Sequence, residues 1–190
     1  MRDLVYYVAV SLDGFIAGPD GEFDAFLAEG DHAPVLFDEY ADTVPAHVAR
    51  ALGLPPGPGR FDTVLMGRKT LAPALAAGIP SPYPHLAQIV ATRSETNLDP
   101  AITPTSDPLE TVRQLKREPG KDIWLCGGGE LAGALLPEID RLVLKRNPFA
   151  FGSGVPLFGR APYRAHRFDL TRTRSFESGV VIEEYASPAR

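Results

Sequence analysis

Two stretches of the chain share one design: an apolar run, then glycine, then a helical segment. The first is Val64-Leu65-Met66-Gly67-Arg68-Lys69-Thr70. The second is Ile123-Trp124-Leu125-Cys126-Gly127-Gly128-Gly129-Glu130-Leu131. Glycine has no β-carbon, so a ligand can approach the backbone closely. The helix that follows turns its unpaired N–H groups and the positive end of its dipole toward the same point, which suits a phosphate. Either stretch alone reads equally as a tight turn for helix–strand packing. The pair, both after strands and before helices, predicts two bends at the carboxyl edge of one parallel sheet, where open α/β sheets bind ligands. A diphosphate between them would be satisfied from both sides.

Two further places carry chemistry. Ala91-Thr92-Arg93-Ser94 follows a third apolar run. Its two hydroxyls and guanidinium match a monophosphate on a ribose, because Arg grips phosphate with two N–H groups; standing alone, it reads as a surface turn. The segment Ser11-Leu12-Asp13-Gly14-Phe15-Ile16-Ala17-Gly18 is a loop with apolar residues between glycines. It either packs over the sheet end or covers a flat ring and keeps water out. Neither the G-x-G-x-x-G fingerprint nor the P-loop pattern occurs. Cys126 has no base beside it and reads as a small buried hydrophobe. His32, His47, His85 and His166 share no spacing, so no metal site is expected.

These positions need elements to hold them. Leu4–Val10 reads as a buried strand. Residues 11–24 read as a loop on their Asp-Gly and Gly-Pro-Asp-Gly turn signals. Apolar spacing over 35–52 is helical, broken or kinked at Pro45. Residues 55–59, Pro-Pro-Gly-Pro-Gly, read as a surface loop. Strands follow at 62–66, 88–91 and 101–103, with a helix from Gly67 to about Ala77. Asp107-Pro108-Leu109-Glu110 starts a helix with a capping Asp, a first-turn Pro and an acid at the positive dipole end. A strand at 122–126, a turn at 127–129, a helix at 130–136 and a strand at 141–145 complete the alternation. Residues 165–174 and 180–185 read as a terminal hairpin around Ser178-Gly179. The prediction is an α/β fold of three layers, with a mostly parallel central sheet and an antiparallel C-terminal hairpin.

Composition narrows the function classes. The chain has 190 residues, 44% apolar and 23% charged, with a net charge of -5 and one cysteine. That predicts a single globular domain, 1–190, with a core large enough to need no disulfide. The acidic balance argues against a nucleic-acid partner. No apolar run reaches the roughly 20 residues of a membrane span, and no secretory leader is legible. A cytoplasmic protein is expected. The charge is uneven: residues 141–174 hold Arg141, Lys145, Arg146, Arg160, Arg164, Arg167, Arg172 and Arg174 against Asp169. That run reads as solvated strand faces or as a site for an anion.

Four motifs together resemble the dihydrofolate-reductase-like superfamily: Val8-Ala9-Val10-Ser11-Leu12-Asp13-Gly14-Phe15-Ile16-Ala17, Leu65-Met66-Gly67-Arg68-Lys69-Thr70, Cys126-Gly127-Gly128-Gly129-Glu130-Leu131, and Gly152-Ser153-Gly154-Val155-Pro156-Leu157-Phe158. More narrowly, the chain resembles stand-alone relatives of the C-terminal reductase domain of bifunctional riboflavin-biosynthesis enzymes. The resemblance implies NADP(H) along the carboxyl edge of the sheet. Gly67, Arg68, Lys69 and Thr70 would hold the diphosphate and adenosine side, with Gly127, Gly128, Gly129, Glu130 and Leu131 opposite. Thr92, Arg93 and Ser94 would meet the 2′-phosphate, and Ala9, Ile16 and Ala17 the nicotinamide. It implies hydride transfer to a C=N or C=O of a pteridine-like or ribosylamino-pyrimidine substrate.

The departures concern the substrate. Folate reduction needs a carboxylate on the helix after the first loop, and Asp38, Glu39 and Asp42 are the candidates there. Asp13 is the one acid inside a matching motif; it contacts substrate or only caps its own loop. Phe15 stands where the riboflavin reductases usually have a base, and Leu71–Leu75 lacks their arginine-rich segment. The readings are therefore an NADPH-dependent reductase of a small heterocyclic substrate, a dihydrofolate reductase proper, or a nucleotide-binding or assembly protein without the chemistry. The resemblance also implies a homodimer, for which Val155, Leu157 and Phe158 are the expected exposed apolar edge.

Overall fold

The computed structural model describes residues 1–188 apart from Pro56, Pro58, Glu95 and Thr96. Pro56 and Pro58, part of the stretch read as a surface loop, thus lie outside the described residues. The first apolar run is strand β1 (Leu4–Val10), followed by a short strand β2 (Phe15–Ala17). The helical spacing over 35–52 resolves into α1 (Ala33–Glu39), a 3-10 turn at Ala41–Thr43 and α2 (Ala46–Ala51). Pro45 sits at the N-cap of α2, where its missing N–H costs nothing, so it separates two helices rather than kinking one. The chain continues through β3 (Phe61–Gly67), α3 (Arg68–Ala76), β4 (Ala87–Ala91) and β5 (Ile102–Thr105). Next come α4 (Pro108–Arg117), β6 (Asp122–Gly127), α5 (Gly129–Leu135) and β7 (Arg141–Arg146). It ends with β8 (Val155–Pro156), β9 (Asp169–Ser175) and β10 (Val181–Ala186). Asp107 caps α4 as its residue type predicts: its carboxylate accepts from the Glu110 N–H at 3.0 Å.

The main sheet has eight strands in the order β5-β4-β3-β6-β1-β7-β10-β9. The first six run parallel; β10 is antiparallel to β7, and β9 to β10. Residues alternate between the faces, so each face carries its own core. On one, Val5, Val64, Trp124 and Val143 pack with Val35 and Leu36 of α1 and Leu71 and Leu75 of α3. On the other, Leu4, Tyr6, Leu65 and Leu125 pack with Val112 of α4 and Leu131 and Leu135 of α5. Helices on both faces of a mostly parallel sheet make the three layers expected. β9 starts at Asp169, four residues later than the alternation suggests.

Two expectations need correction. The loop over residues 11–24 contains a strand: β2 pairs antiparallel with β8, Phe15 opposite Pro156 and Ala17 opposite Val155. The apolar residues after Ser153 are therefore engaged within the chain. Leu157 and Phe158 pack against the core, and the Tyr6 hydroxyl donates to the Leu157 carbonyl at 2.9 Å. They are half-buried rather than exposed.

Candidate functional site

β3 and β6 are neighbours and parallel, with Met66 in register with Gly127. Both glycine bends therefore leave the sheet at the same edge, side by side. A β-carbon on Gly67 would stand 3.6 Å from the Gly128 nitrogen and 3.7 Å from the Gly127 carbonyl oxygen. One on Gly128 would stand 3.5 Å from Thr70 Oγ1 and 4.0 Å from Ile16 Cδ1. The seam brings together Ile16, Gly67, Thr70, Gly127 and Gly128, drawn from three separate motifs. Gly67 and Gly128 are the N-caps of α3 and α5, and neither helix start has a side-chain cap. The first-turn amides, including those of Arg68, Lys69 and Thr70, are thus left for a ligand. Gly127 takes φ +112°, a conformation open to glycine. The Gly127–Gly128 peptide bond is cis.

The other predicted residues lie along the same edge. Ala91 pairs with Gly67 on β4, so Thr92 follows at that edge. Thr92 Oγ1 donates to the Ser94 carbonyl at 3.2 Å, and Arg93 and Ser94 are exposed. On the far side of β6 lies β1, with Ala9 one residue before its end. Ala17 sits in β2, its carbonyl against Gly154. Lys69 and Glu130 are exposed at the starts of their helices.

Two cofactor candidates have a different local reason. A β-carbon on Gly129 would collide with the Pro156 carbonyl and lie 2.9 Å from the Gly159 nitrogen. This glycine lets residues 156–159 pass over α5. Leu131 turns its side chain into the core, 9% exposed. Only the backbone of these two residues can serve a ligand at the seam.

Three of the four candidate acids are accounted for by their partners. Asp13 accepts from Ser11 Oγ at 2.6 Å, from the Gly152 N–H at 2.7 Å and from the Phe151 N–H at 3.1 Å. The Ser11 hydroxyl and these backbone N–H groups hold its carboxyl at about 2. Asp13 clamps the first loop to residues 149–152; a role as proton donor does not fit a carboxyl kept ionised. Asp38 is exposed on α1. Glu39 is ion-paired with Arg174 at 2.7 Å and with Arg172 at 3.2 Å. Asp42 is buried and accepts from the Phe61 N–H at 3.1 Å, fixing the turn after α1 to the start of β3. Burial pushes the Cys126 thiol up to about 12, so it is protonated and no nucleophile. The basic run of 141–174 is largely neutralised by Asp3, Glu39, Asp169, Glu183 and Glu184, as solvated and paired strand faces would be.

A cluster that the sequence reading passed over lies next to β1. Lys145, 8% exposed, is the register partner of Ala9 on β7. Its ammonium donates to the Leu27 carbonyl. Burial lowers that ammonium to about 8. His32 and Asn147, both fully buried, meet the same residue: His32 Nε2 lies 3.2 Å from the Leu27 carbonyl, and Asn147 Oδ1 accepts from the Leu27 N–H at 3.0 Å. One signal was present in the sequence. A lysine at an inward position of the apolar strand Leu142-Val143-Leu144-Lys145 is out of place unless it has work there. Counting it with the surface arginines hid it.

No helix among the described residues is long and apolar enough to cross a membrane. Nor does any group of three or more His, Cys, Asp or Glu among them suit a metal ion.

Comparison with known proteins finds relatives over nearly the whole chain. The protein YwjB of Bacillus subtilis is 32% identical over 188 residues, covering 95% of this chain and 96% of its own length. YyaP of the same organism is 30% identical over 194 residues, covering 95% and 92%. Both are described as uncharacterized. Among solved structures, one named for riboflavin biosynthesis from Shewanella sp. PV-4 has TM-score 0.70 at 21% identity over the whole of both chains. A diaminohydroxyphosphoribosylaminopyrimidine deaminase/5-amino-6-(5-phosphoribosylamino)uracil reductase of Thermotoga maritima has TM-score 0.66 at 15% identity, over 98% of this chain and 56% of that one. At those identities the likeness is one of fold. The family model described as RibD C-terminal domain matches residues 60–182, which span β3, both glycine bends and β7, and the chain belongs to that family.

Proposed function

We propose that this protein is an NADPH-dependent reductase of a pteridine-like or ribosylamino-pyrimidine substrate, of the riboflavin-biosynthesis type. One observation carries the reading: the Gly67 and Gly128 bends stand side by side, in a cradle that a β-carbon on either would begin to fill. Backbone amides from two helix starts meet a diphosphate there. Thr92, Arg93 and Ser94, one strand over, take the 2′-phosphate that separates NADPH from NADH. Ala9, Ile16 and Ala17 line the nicotinamide end. When bound, the reduced nicotinamide supplies the hydride. The protein's own part is to hold the acceptor beside it and to exclude water, for which β2 and β8 provide a paired flap over the end of β1.

The test is titration with NADPH, following nicotinamide fluorescence. Enhanced, blue-shifted emission that saturates is the expected result; no binding at millimolar cofactor ends the reading. A second reading has its own observation. Asp13, Glu39 and Asp42 are all engaged by the protein itself, and the remaining candidate acid, Asp38, is exposed on α1. This disfavours a dihydrofolate reductase proper and suits a nucleotide-binding or assembly protein; NADPH binding without turnover of any pteridine, flavin precursor or aldehyde would support it. The proposal includes a cytoplasmic homodimer. Its open edge is β9, where Leu170 is exposed, and light scattering that gives the monomer mass at micromolar protein contradicts it.

A further inference from the structure

The order of strands along the carboxyl edge fixes what comes next to the nicotinamide end. From β4 the edge runs through β3 and β6, the diphosphate seam, to β1 with Ala9. The strand beyond, on the side away from the seam, is β7, and its residue in register with Ala9 is Lys145. In-register residues of parallel strands point to the same face. Tyr7, paired with Val143, shares that face and stacks on Tyr40 at 4.6 Å. A molecule reduced at Ala9 must lie beside β1. The one lysine among the inward residues of β7 stands there.

We propose that the Lys145 ammonium is the group that binds the hydride acceptor, holding the oxygen or nitrogen of its C=O or C=N bond and giving that atom its proton. The Nζ hydrogen bond to the Leu27 carbonyl shows the ammonium holding a carbonyl oxygen, the same kind of atom. This assignment rests on the reductase reading above. As the substrate carbon gains hydride, the π pair of its double bond moves onto oxygen or nitrogen. That atom takes a proton from Nζ, whose N–H bond breaks. The nicotinamide is oxidised, the double bond is reduced, and Nζ recovers a proton from water. A lysine lowered to about 8 by burial is protonated at neutral pH yet gives its proton more readily than a solvated one. His32, before α1, meets the same Leu27 carbonyl, while Tyr7 on β1 and Arg174 on β9, the register partner of Ile182 opposite Lys145, share the lysine's face of the sheet. His32 is the one whose own proton affinity its charge lowers.

The experiment uses NADPH and 5-amino-6-(5-phosphoribosylamino)uracil with the wild type, Lys145→Met and Lys145→Arg. Lys145→Met is expected to bind NADPH within about twofold of the wild type and to lose turnover by about a hundredfold or more. Its thermal midpoint at pH 7 should not fall, because a desolvated charge is removed; a lysine that merely ties down Leu27 predicts a lower midpoint. Wild-type turnover should fall above pH about 8, as Nζ loses its proton, and Lys145→Arg should abolish that fall. Should Lys145→Met not fold, 15N-lysine NMR of the wild type decides. Adding the uracil compound to the NADP-loaded protein must then move the Lys145 ammonium signal and leave those of Lys69, Lys116 and Lys121 in place. Normal turnover in Lys145→Met, an alkaline fall kept in Lys145→Arg, or an unmoved Lys145 signal overturns the assignment alone. A wild type that binds no NADPH, or binds it and never reduces this compound, overturns the reductase reading as well.

Discussion

Gly67 and Gly128 face each other across the seam between β3 and β6, so that a β-carbon on Gly67 would lie 3.6 Å from the Gly128 nitrogen. Both residues have ordinary backbone angles, φ -77° and -86°, which alanine adopts freely. The contacts an added methyl would make are normal van der Waals distances, so the fold tolerates it while the cradle shrinks. Gly67→Ala and Gly128→Ala should each change stability by less than about 1 kcal/mol. Each should weaken NADPH binding by about tenfold or more, a loss of roughly 1.4 kcal/mol. Calorimetric titration beside thermal melts separates the two effects. Unchanged affinity in both variants removes the diphosphate from this seam.

Gly129 should behave in the opposite way, although it neighbours Gly128. Its β-carbon would meet the backbone of Pro156 and Gly159, which cannot swing aside as a flexible side chain can. Gly129→Ala should therefore cost about 1–3 kcal/mol of stability, read from urea unfolding. A midpoint equal to the wild type would show that residues 156–159 do not pack on α5 as described.

The contrast between these two glycines shows what the sequence makes legible. Apolar runs of five to seven residues identified β1, β3 and β6, because strands buried on both faces need no alternation. Repetition of strand, glycine and helix identified the two bends, and parallel pairing made them neighbours. Residue type could not show that Gly129 serves packing, since its reason lies in a segment 27 residues onward. Long separations hid the rest: Phe15 pairs with Pro156, Asp13 binds Gly152, and Lys145 meets Leu27. Each of these rests on tertiary placement of two loops, which local propensity does not encode.

Arg93 tests the cofactor's other end. It is exposed just past β4, two residues beyond Ala91, the register partner of Gly67. A guanidinium bound to a 2′-phosphate contributes roughly 1.5–3 kcal/mol as a charge-assisted hydrogen bond. Arg93→Ala should thus lower NADPH affinity by about tenfold or more and barely change NADH affinity. Equal losses for both cofactors would place Arg93 away from the 2′ position.

Asp13 makes a prediction in acid. Its carboxyl is held at about 2, below its ordinary 3.8, by the Ser11 hydroxyl and the Gly152 and Phe151 N–H groups. A lowered carboxylate contributes fully above the ordinary value and loses its contribution as pH falls through the folded one. Asp13→Asn should speed amide hydrogen exchange at Phe151 and Gly152 at neutral pH, loosening the flap that carries Ile16. The wild type should reach that state only near pH 2. Equal protection in the variant would mean that the β2–β8 pairing alone holds this loop.

His32 works in a higher range. It is fully buried, with Nδ1 3.1 Å from Ser178 Oγ and Nε2 3.2 Å from the Leu27 carbonyl. Burial, and then the charge of Lys145, lower its affinity for a proton below the ordinary 6.5. Between the lowered value and 6.5 the unfolded chain binds more protons than the folded one, so stability rises with pH across that window. The stabilisation is present above pH about 6.5 and is lost as pH falls below it. The thermal midpoint should therefore drop between pH 7 and pH 5, and His32→Asn, which can hydrogen-bond without titrating there, should flatten the slope. Lys145→Met should make the same drop smaller, because removing the neighbouring charge raises the His32 pKa toward its ordinary value and narrows the window. An acid slope that neither substitution changes would assign it to other groups and separate His32 from Lys145.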